Sequence, residues 1–149
     1  MITLSAFKSD DAFQMDWIET EDLAGMLRNN RYIFECLERE GNSQTMTNET
    51  GSILGIRVLT PYHEGWCDIS MFMAKPIQDE FDKDIYKALQ DIVNDLTKKY
   101  VRVSLNGKST NDKLTKLIKH LGFEEEGVMR KYGWHGEDYV LYSIVKEDK

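Results

Sequence analysis

The sequence has little cysteine, little proline and no long apolar run. Its two cysteines, Cys36 and Cys67, form no C-x-x-C pair, so neither a disulfide framework nor a cysteine-based zinc site is indicated. The three histidines are not spaced as zinc ligands, and no metal site is expected. The longest nearly uncharged apolar stretch is too short to cross a bilayer, and no basic segment precedes it as in a secretion signal. These absences predict a chain of a reducing intracellular compartment, with no membrane span.

The composition is that of a chain that buries a core of its own. Of the 149 residues, 41% are hydrophobic and 30% are charged, which separates the chain from disordered proteins. The formal net charge of −7 opposes non-specific binding to nucleic acid. We therefore expect one cytoplasmic domain over residues 1–149 that does not bind nucleic acid.

Hydrophobic periodicity predicts an alternation of helices and strands. Ile85, Leu89, Ile92 and Leu96 recur at helical spacing and predict one long amphipathic helix. The predicted strands cover residues 2–7, 44–48, 52–60, 65–74, 100–106, 123–131 and 137–145. The predicted helices begin near Ser9, Thr20, Ile85 and Ser109. Bulky residues on both faces of the 65–74 strand indicate a position in the middle of a sheet. The order predicts a single mixed α/β domain.

The last predicted helix carries signals at both ends. Ser109 followed by Asp112 three residues later has the form of a capping box. Asn111 falls in the first turn, where an asparagine side chain is suited to capping. Gly122 stands where a left-handed residue would end the helix.

Three features of segment 111–144 go together. Asn111 stands eleven positions before Gly122 of a Leu-Gly-Phe turn, residues 126–130 have an acidic-Gly-apolar-Arg pattern, and 138–144 form a terminal strand pattern. In these features the segment resembles the GNAT superfamily of acetyl-CoA-dependent N-acetyltransferases. The resemblance implies an acyl-CoA N-acyltransferase fold, with a central, mostly antiparallel sheet flanked by helices.

The resemblance also implies residues that hold the cofactor. The family's asparagine contacts the pantetheine arm of coenzyme A, a role open to Asn111 beside that of a helix cap. Independently of the resemblance, Met73 at the end of a predicted strand is a candidate to line a ligand slot for the cofactor, with a place in the core as the alternative role. Gln78 matches the glutamine that opens the family's pyrophosphate loop.

The rest of that loop departs from the family pattern. Bare backbone N–H groups must approach two phosphates there, which is why the family uses small residues. No glycine occurs between Gly65 and Gly107, and Phe81 and Lys83 stand where small residues are expected. The same stretch carries four carboxylates, Asp79, Glu80, Asp82 and Asp84. A carboxylate about 8 Å from a phosphate charge costs about 2 kcal/mol at an effective dielectric near 20. The sequence thus predicts a degenerate acetyl-CoA site.

Acetyl transfer to an amine needs a base, and few residues qualify. The family places a carboxylate on the fourth strand, and Asp68 is the matching residue, with Glu64 nearby; a hydrogen-bonded strand aspartate is the alternative role for Asp68. The family's usual acid is a tyrosine four residues before the Leu-Gly-Phe glycine, a position held here by Ile118. Four other residues have side chains able to replace that acid: Tyr132, Tyr139, Tyr142 and His120.

Two functions follow from these observations. The loop favours a non-catalytic structural or interaction protein that binds no cofactor and pairs with a protein partner or with itself. With a cofactor loop that lacks glycine, the chain is similar to a GNAT-like internal virion protein of short-tailed phages. This similarity would place the chain in a virion. The alternative is an acetyl-CoA-dependent N-acetyltransferase acting on a protein N-terminal or small-molecule amine.

Overall fold

The chain is described by a computed structural model over residues 2–15, 30–74, 83–133 and 135–146. The helices are α1 (Ser9–Gln14), α2 (Arg31–Glu40), α3 (Lys83–Lys99) and α4 (Asp112–His120). The strands are β1 (Thr3–Ala6), β2 (Ser43–Thr47), β3 (Ile53–His63), β4 (Trp66–Met73), β5 (Arg102–Lys108), β6 (Glu124–Met129) and β7 (Tyr139–Val145). The helix expected near Thr20 lies outside the described residues, as does residue 76, the proline expected to end β4.

The strands form one seven-stranded sheet in the order β1-β2-β3-β4-β5-β7-β6. β4 and β5 are parallel, whereas the pairs β1–β2, β2–β3, β5–β7 and β6–β7 are antiparallel. The expected mixed α/β fold with a mostly antiparallel sheet is thereby confirmed. The mid-sheet position predicted for β4 is also confirmed, since it is the fourth of the seven strands.

Backbone contacts divide the described chain into two compact units. The first comprises the described residues within 1–59 and 70–85. Its core surrounds the fully buried Phe34 of α2, whose ring lies 6.4 Å from Phe7, 5.7 Å from Phe13 and 6.2 Å from Phe72. Tilted and edge-on contacts of this kind let aromatic rings interlock.

The second unit comprises the described residues within 60–69 and 86–149. Its core combines the apolar stripes of α3 and α4 with one face of the sheet, and the stripe predicted for α3 is buried as expected. The buried members from the helices are Leu89, Ile92, Val93, Leu96, Leu117 and Ile118, and those from the sheet are Cys67, Ile69, Val103, Val140 and Tyr142. The hydroxyl of Tyr86 on α3 donates to the carbonyl of His120 at 3.1 Å, which ties the two helices together.

Helix α4 begins two residues later than a Ser109 cap requires, so the predicted capping box is wrong. The N-cap is Asn111, whose side-chain oxygen accepts a 3.1 Å hydrogen bond from the backbone N–H of Leu114. Ser109 is committed elsewhere, because its backbone N–H donates to the carbonyl of Asp138. Gly122 has φ +102° after the last turn, as expected for the residue that ends this helix.

Strand β3 continues three residues beyond its predicted end at position 60. β2 pairs with β3 only as far as Val58, so the later residues of β3 lie beyond the β2–β3 pairing. Pro61, which lacks an N–H, is tolerated at such an edge. The turn between β3 and β4 is therefore only Glu64-Gly65.

None of the helices within the described ranges is both long and apolar enough to cross a membrane. A search of the same residues finds no group of three or more histidine, cysteine, aspartate or glutamate side chains that could hold a metal ion.

Candidate functional site

The candidate site lies in the second unit, on the sheet face opposite its apolar core. Register places Asp68 of β4 opposite Ser104 of β5, and Ser104 opposite Ser143 of β7. The neighbouring row joins Trp66 to Arg102. Because residues directly opposite each other share a sheet face, and residues two apart in a strand do too, these five side chains share one face. A sheet face this polar is suited to binding or catalysis.

Asp68 ends a chain of two hydrogen bonds. The indole Nε1–H of Trp66 donates to Oγ of Ser104 at 2.9 Å, and the hydroxyl of Ser104 donates to Oδ1 of Asp68 at 2.8 Å. Ser104 is only 1% exposed, so its hydroxyl has been withdrawn from bulk water. The Ser104 oxygen accepts the hydrogen bond from Trp66, so the Ser104 proton remains available to donate to the Asp68 carboxylate. Asp68 therefore has a fixed orientation.

Burial raises the pKa of Asp68 above its usual value of 3.8. The hydrogen bond from Ser104 and the positive charge of Arg102 oppose this shift without cancelling it. Desolvation disfavours the charged carboxylate, whereas a donor or a nearby cation favours it. A carboxylate with a raised pKa is a stronger base, which is the property that proton abstraction requires.

Arg102 is held by a second carboxylate. Its Nη1 and Nη2 donate to Oε2 and Oε1 of Glu126 at 2.8 and 2.7 Å, a two-pronged pair. The Ser143 hydroxyl donates to Oε2 of Glu126 at 2.6 Å. These donors hold the pKa of Glu126 down at about 2. Glu126 is thus an anion across the physiological range, bound to Arg102.

Glu126 lies at an irregularity of β6. The β6–β7 register places Glu125 opposite Tyr142 and Gly127 opposite Leu141, so Glu126 is an extra residue in a bulge. A bulge redirects the side chain of the inserted residue. Glu125 shares the face of Tyr142, and Glu126, which follows it, reaches the face of Ser143, from whose hydroxyl it accepts a hydrogen bond.

Aromatic side chains border the site at the β3–β4 turn. The ring of Tyr62 stacks on that of Trp66 with 4.2 Å between centroids, and the ring of His63 lies 6.0 Å from Trp66. The Arg102 guanidinium carbon lies 5.7 Å from the Trp66 centroid. Trp66 is therefore fixed on several sides, which in turn fixes the donor to Ser104.

The parallel pairing between β4 and β5 stops at Asp68 and Ser104, whereas β5 stays paired with β7 as far as Lys108. The catalytic candidate thus stands at the last described pair of this ladder. Backbone N–H and C=O groups farther along β5 have no partner among the described β4 pairs, and an extended ligand can use such groups.

The other residues predicted for the site are dispersed. Glu64 is exposed in the β3–β4 turn, Met73 is the partly buried last residue of β4, and Asn111 lies beyond the far end of β5 as the cap of α4. Gln78 lies outside the described residues, as do 79–82 of the predicted pyrophosphate loop. Lys83 and Asp84, which follow it, are exposed in the first turn of α3. Whether the loop disfavours phosphates stays a prediction.

Residues considered as the acid differ in their placement. Ile118 is buried in the core, where its Cδ1 lies 3.2 Å from the position a Cβ would take at Gly107. Tyr142 is buried and belongs to the face opposite Asp68, because it neighbours Ser143 in the strand. Tyr139 shares the face of Ser143 and packs on Tyr132 with 5.3 Å between ring centroids. Among the tyrosines of β7, only Tyr139 is on the side of Asp68.

Comparison with solved structures identifies the architecture. An acetyltransferase of the GNAT family from Bacillus anthracis matches with a TM-score of 0.76 at 15% identity, covering 99% of this chain and 96% of that one. The fold is that of the GNAT acetyltransferases. Ribosomal-protein-S5-alanine acetyltransferase from Vibrio fischeri matches this GNAT fold with a TM-score of 0.69 at 16% identity, over 99% and 94% of the two chains. A mutant form of the spermidine/spermine N-acetyltransferase SpeG from Vibrio cholerae matches with 0.69 at 14% identity, over 98% and 95%.

These GNAT likenesses are likenesses of fold. No family model matches the sequence, and no curated protein matches it. The structural neighbours are acetyltransferases, whereas a degenerate site and a relation to phage proteins find no support among them.

Proposed function

We propose that the chain is an acetyl-CoA-dependent N-acetyltransferase in which Asp68 is the general base. The observation that carries the proposal is the placement of Asp68: it is partly buried, aimed by Ser104 and has a raised pKa at the last β4–β5 pair. Structural neighbours across nearly the whole chain are acetyltransferases, which supports the same reaction class.

In this reaction Asp68 removes a proton from the acceptor. An amine attacks a thioester carbonyl as the free base, so a C–N bond forms, the C–S bond breaks and the nitrogen loses a proton. The Asp68 carboxylate accepts that proton, directly or through one water molecule. Each unit by which its pKa is raised makes the transfer about 1.4 kcal/mol less unfavourable. Ser104 keeps the carboxylate oriented while its charge changes.

Acetyl-CoA supplies the activated acetyl group when it is bound. Of the described residues, Asn111 fits a role in holding it, because the helix cap uses only the side-chain oxygen and leaves the amide N–H groups able to donate. Backbone groups along β5 beyond Ser104, which lie outside the described β4–β5 pairs, add further donors and acceptors. These groups fit an amide-bearing, extended molecule.

The departing sulfur needs little help from the protein. A thiol has a pKa of about 8.5, so its conjugate base is a far better leaving group than an alkoxide. Tyr139, on the face of Asp68, is the side chain best placed to protonate it among the described tyrosines of β7. The loss of tyrosine at Ile118 therefore does not preclude the reaction.

An N-terminal α-amine is the acceptor best matched to a carboxylate base. Its pKa is about 7.7 to 8.0, against about 10.4 for a lysine-like amine. The difference is worth roughly 3 kcal/mol in the driving force for proton removal. We therefore propose a protein or peptide N-terminus as the preferred acceptor, with small polyamines as weaker ones.

The non-catalytic interpretation depends on the acidic residues 79–84, of which only Asp84 lies among the described residues. This interpretation predicts that the chain does not turn over acetyl-CoA, whereas the proposal predicts that it does. One assay therefore separates the two functions. Release of the CoA thiol is followed with acetyl-CoA and either an alanine-starting peptide or spermidine. The proposal expects amine-dependent release, faster with the peptide.

Asp68→Asn then tests the base. We expect amine-dependent thiol release to fall about a hundredfold or more, the low end of what a general base contributes. The matched control is Asp91→Asn, which removes an exposed carboxylate on α3 that pairs with Lys87 at 3.6 Å. Unchanged release in Asp68→Asn would remove Asp68 from the reaction, and no release from the unmodified chain with either amine would support the non-catalytic protein.

A further inference from the structure

We propose that Glu126 is a positioning residue that keeps Arg102 from pairing with Asp68. The inference rests on the proposed function, because it concerns the carboxylate assigned there as the base. It makes the Arg102–Glu126 pair a determinant of how basic Asp68 is.

Arg102 is placed where it would otherwise reach Asp68. The two lie on adjacent strands and on one face, since Arg102 is opposite Trp66 and Asp68 is opposite Ser104. Diagonal neighbours of this kind are within reach of a long side chain. Each acts electrostatically on the other, but the hydrogen bonds of Arg102 go to Glu126.

Glu126 is well suited to hold the guanidinium. The planar, two-pronged pair uses both Nη atoms, and such pairs are strong and geometrically specific. The buried hydroxyl of Ser143, 3% exposed, fixes the same carboxylate from the other side at 2.6 Å.

Few charged groups compete for influence on Asp68. The titratable groups described on the neighbouring elements are Arg102 on β5, Glu126 on β6, and His63 and Glu64 at the end of β3 and the turn before β4. Of these, Arg102 acts on Asp68 as a cation that favours the carboxylate. Loss of Glu126 would release that cation toward Asp68 and lower the pKa of Asp68.

The test is an NMR titration of the Asp68 carboxyl carbon, a readout that needs no turnover. Glu126→Gln keeps the size of the side chain and its contact with Ser143 but loses the charge. We expect the pKa of Asp68 to fall by about one unit, the low end of the effect of an adjacent guanidinium. The double variant Arg102→Met with Glu126→Gln should restore the pKa to the original value or above it.

The double variant separates the proposal from a direct charge effect. If Glu126 acted on Asp68 only through its own negative charge, Glu126→Gln would lower the pKa by the same amount in the Arg102→Met protein as in the unmodified chain, whereas the proposal expects no further fall once Arg102 is absent. Glu137→Gln is the matched control, because it removes a carboxylate of similar exposure. That carboxylate pairs at 3.4 Å with Lys108, which is on the same strand as Arg102. Glu137→Gln should leave the Asp68 titration unchanged. Should Glu126→Gln not fold, Ser143→Ala loosens the same carboxylate and should lower the pKa in the same direction.

The pH dependence of kcat/KM gives the second readout. Its acidic limb should move to lower pH in Glu126→Gln and return in the double variant. An unchanged Asp68 titration in a folded Glu126→Gln protein overturns the inference even if all variants transfer acetyl groups. If the Asp68 titration shifts as expected but none of the proteins releases thiol, the proposed function is overturned. The role of Glu126 in setting the charge of Asp68 would still be supported.

Discussion

The Ser104 hydroxyl donates to Oδ1 of Asp68 at 2.8 Å, across the last pair of the parallel ladder. The serine is buried and its oxygen already accepts from the indole of Trp66, so its proton has one acceptor within the described network. The same bond orients Asp68 and stabilises its charged form. The orientation and the basicity of Asp68 are therefore set partly by one hydroxyl group.

Ser104→Ala should move the acidic limb of kcat/KM to higher pH. The hydrogen bond stabilises the carboxylate, so its loss raises the pKa of Asp68, by about one unit for a bond to a charged group. A pH–rate profile for thiol release measures the shift. Ser43→Ala removes another buried serine, from β2, and should leave the profile where it is. An unmoved limb in Ser104→Ala would show that the hydroxyl does not act on the base.

Glu126→Gln should cost stability at neutral pH and progressively less in acid. In the folded protein the pKa of Glu126 is about 2, below its ordinary value of 4.5. A lowered folded-state pKa contributes stability above the unfolded pKa, and this contribution is lost as the pH falls toward the folded one. The difference in free energy of unfolding between the two proteins should thus shrink from pH 4.5 to pH 2. Urea denaturation at several pH values measures it, and a difference independent of pH would contradict the pairing.

Asn111 can be tested as a cap and as a coenzyme contact separately. Asn111→Ala removes the acceptor for the Leu114 N–H and should lower the free energy of unfolding by about 1 kcal/mol. Asn111→Asp keeps that acceptor and should retain the stability, but it loses the amide donors. We expect both variants to bind acetyl-CoA more weakly by calorimetry. Unaltered affinity in Asn111→Asp would leave Asn111 the role of a helix cap alone.

Gly107→Val should destabilise the second unit. A Cβ at Gly107 would lie 3.2 Å from Cδ1 of Ile118 and 3.3 Å from Cδ2 of Leu114, so helix α4 leaves no space for a branched side chain. Overpacking of this kind costs about 1 to 3 kcal/mol. Gly127→Val is the control, because nothing lies within 4 Å of its Cβ position. Equal free energies of unfolding for the two variants would contradict the packing of α4 on β5.

Local patterns in the sequence predict most of the fold. The apolar stripe of α3 has a helical period, and Gly122 ends α4 as a left-handed residue must, so both are visible without the structure. The start of α4 was predicted wrongly because Ser109 and Asn111 are both good caps. A distant backbone contact, from Ser109 to Asp138, decides between them.

The candidate site is less accessible from sequence. Asp68 is visible as a carboxylate on a central strand, but the partners that orient and tune it come from three other strands. Ser104 and Arg102 alternate on β5, a pattern that marks a shared face without naming its neighbours. Glu126 comes from β6, which β7 separates from β5, and no local pattern in the acidic run 124–126 specifies which of its carboxylates pairs with Arg102.

Binding of acetyl-CoA by isothermal titration calorimetry tests the central claim most directly, because it needs no knowledge of the acceptor. An acetyltransferase should bind with a Kd below about 100 µM, within the range usual for enzyme substrates. We expect such binding in the full chain at neutral pH. Binding only in the millimolar range, or none, would contradict an acetyltransferase and favour the non-catalytic protein.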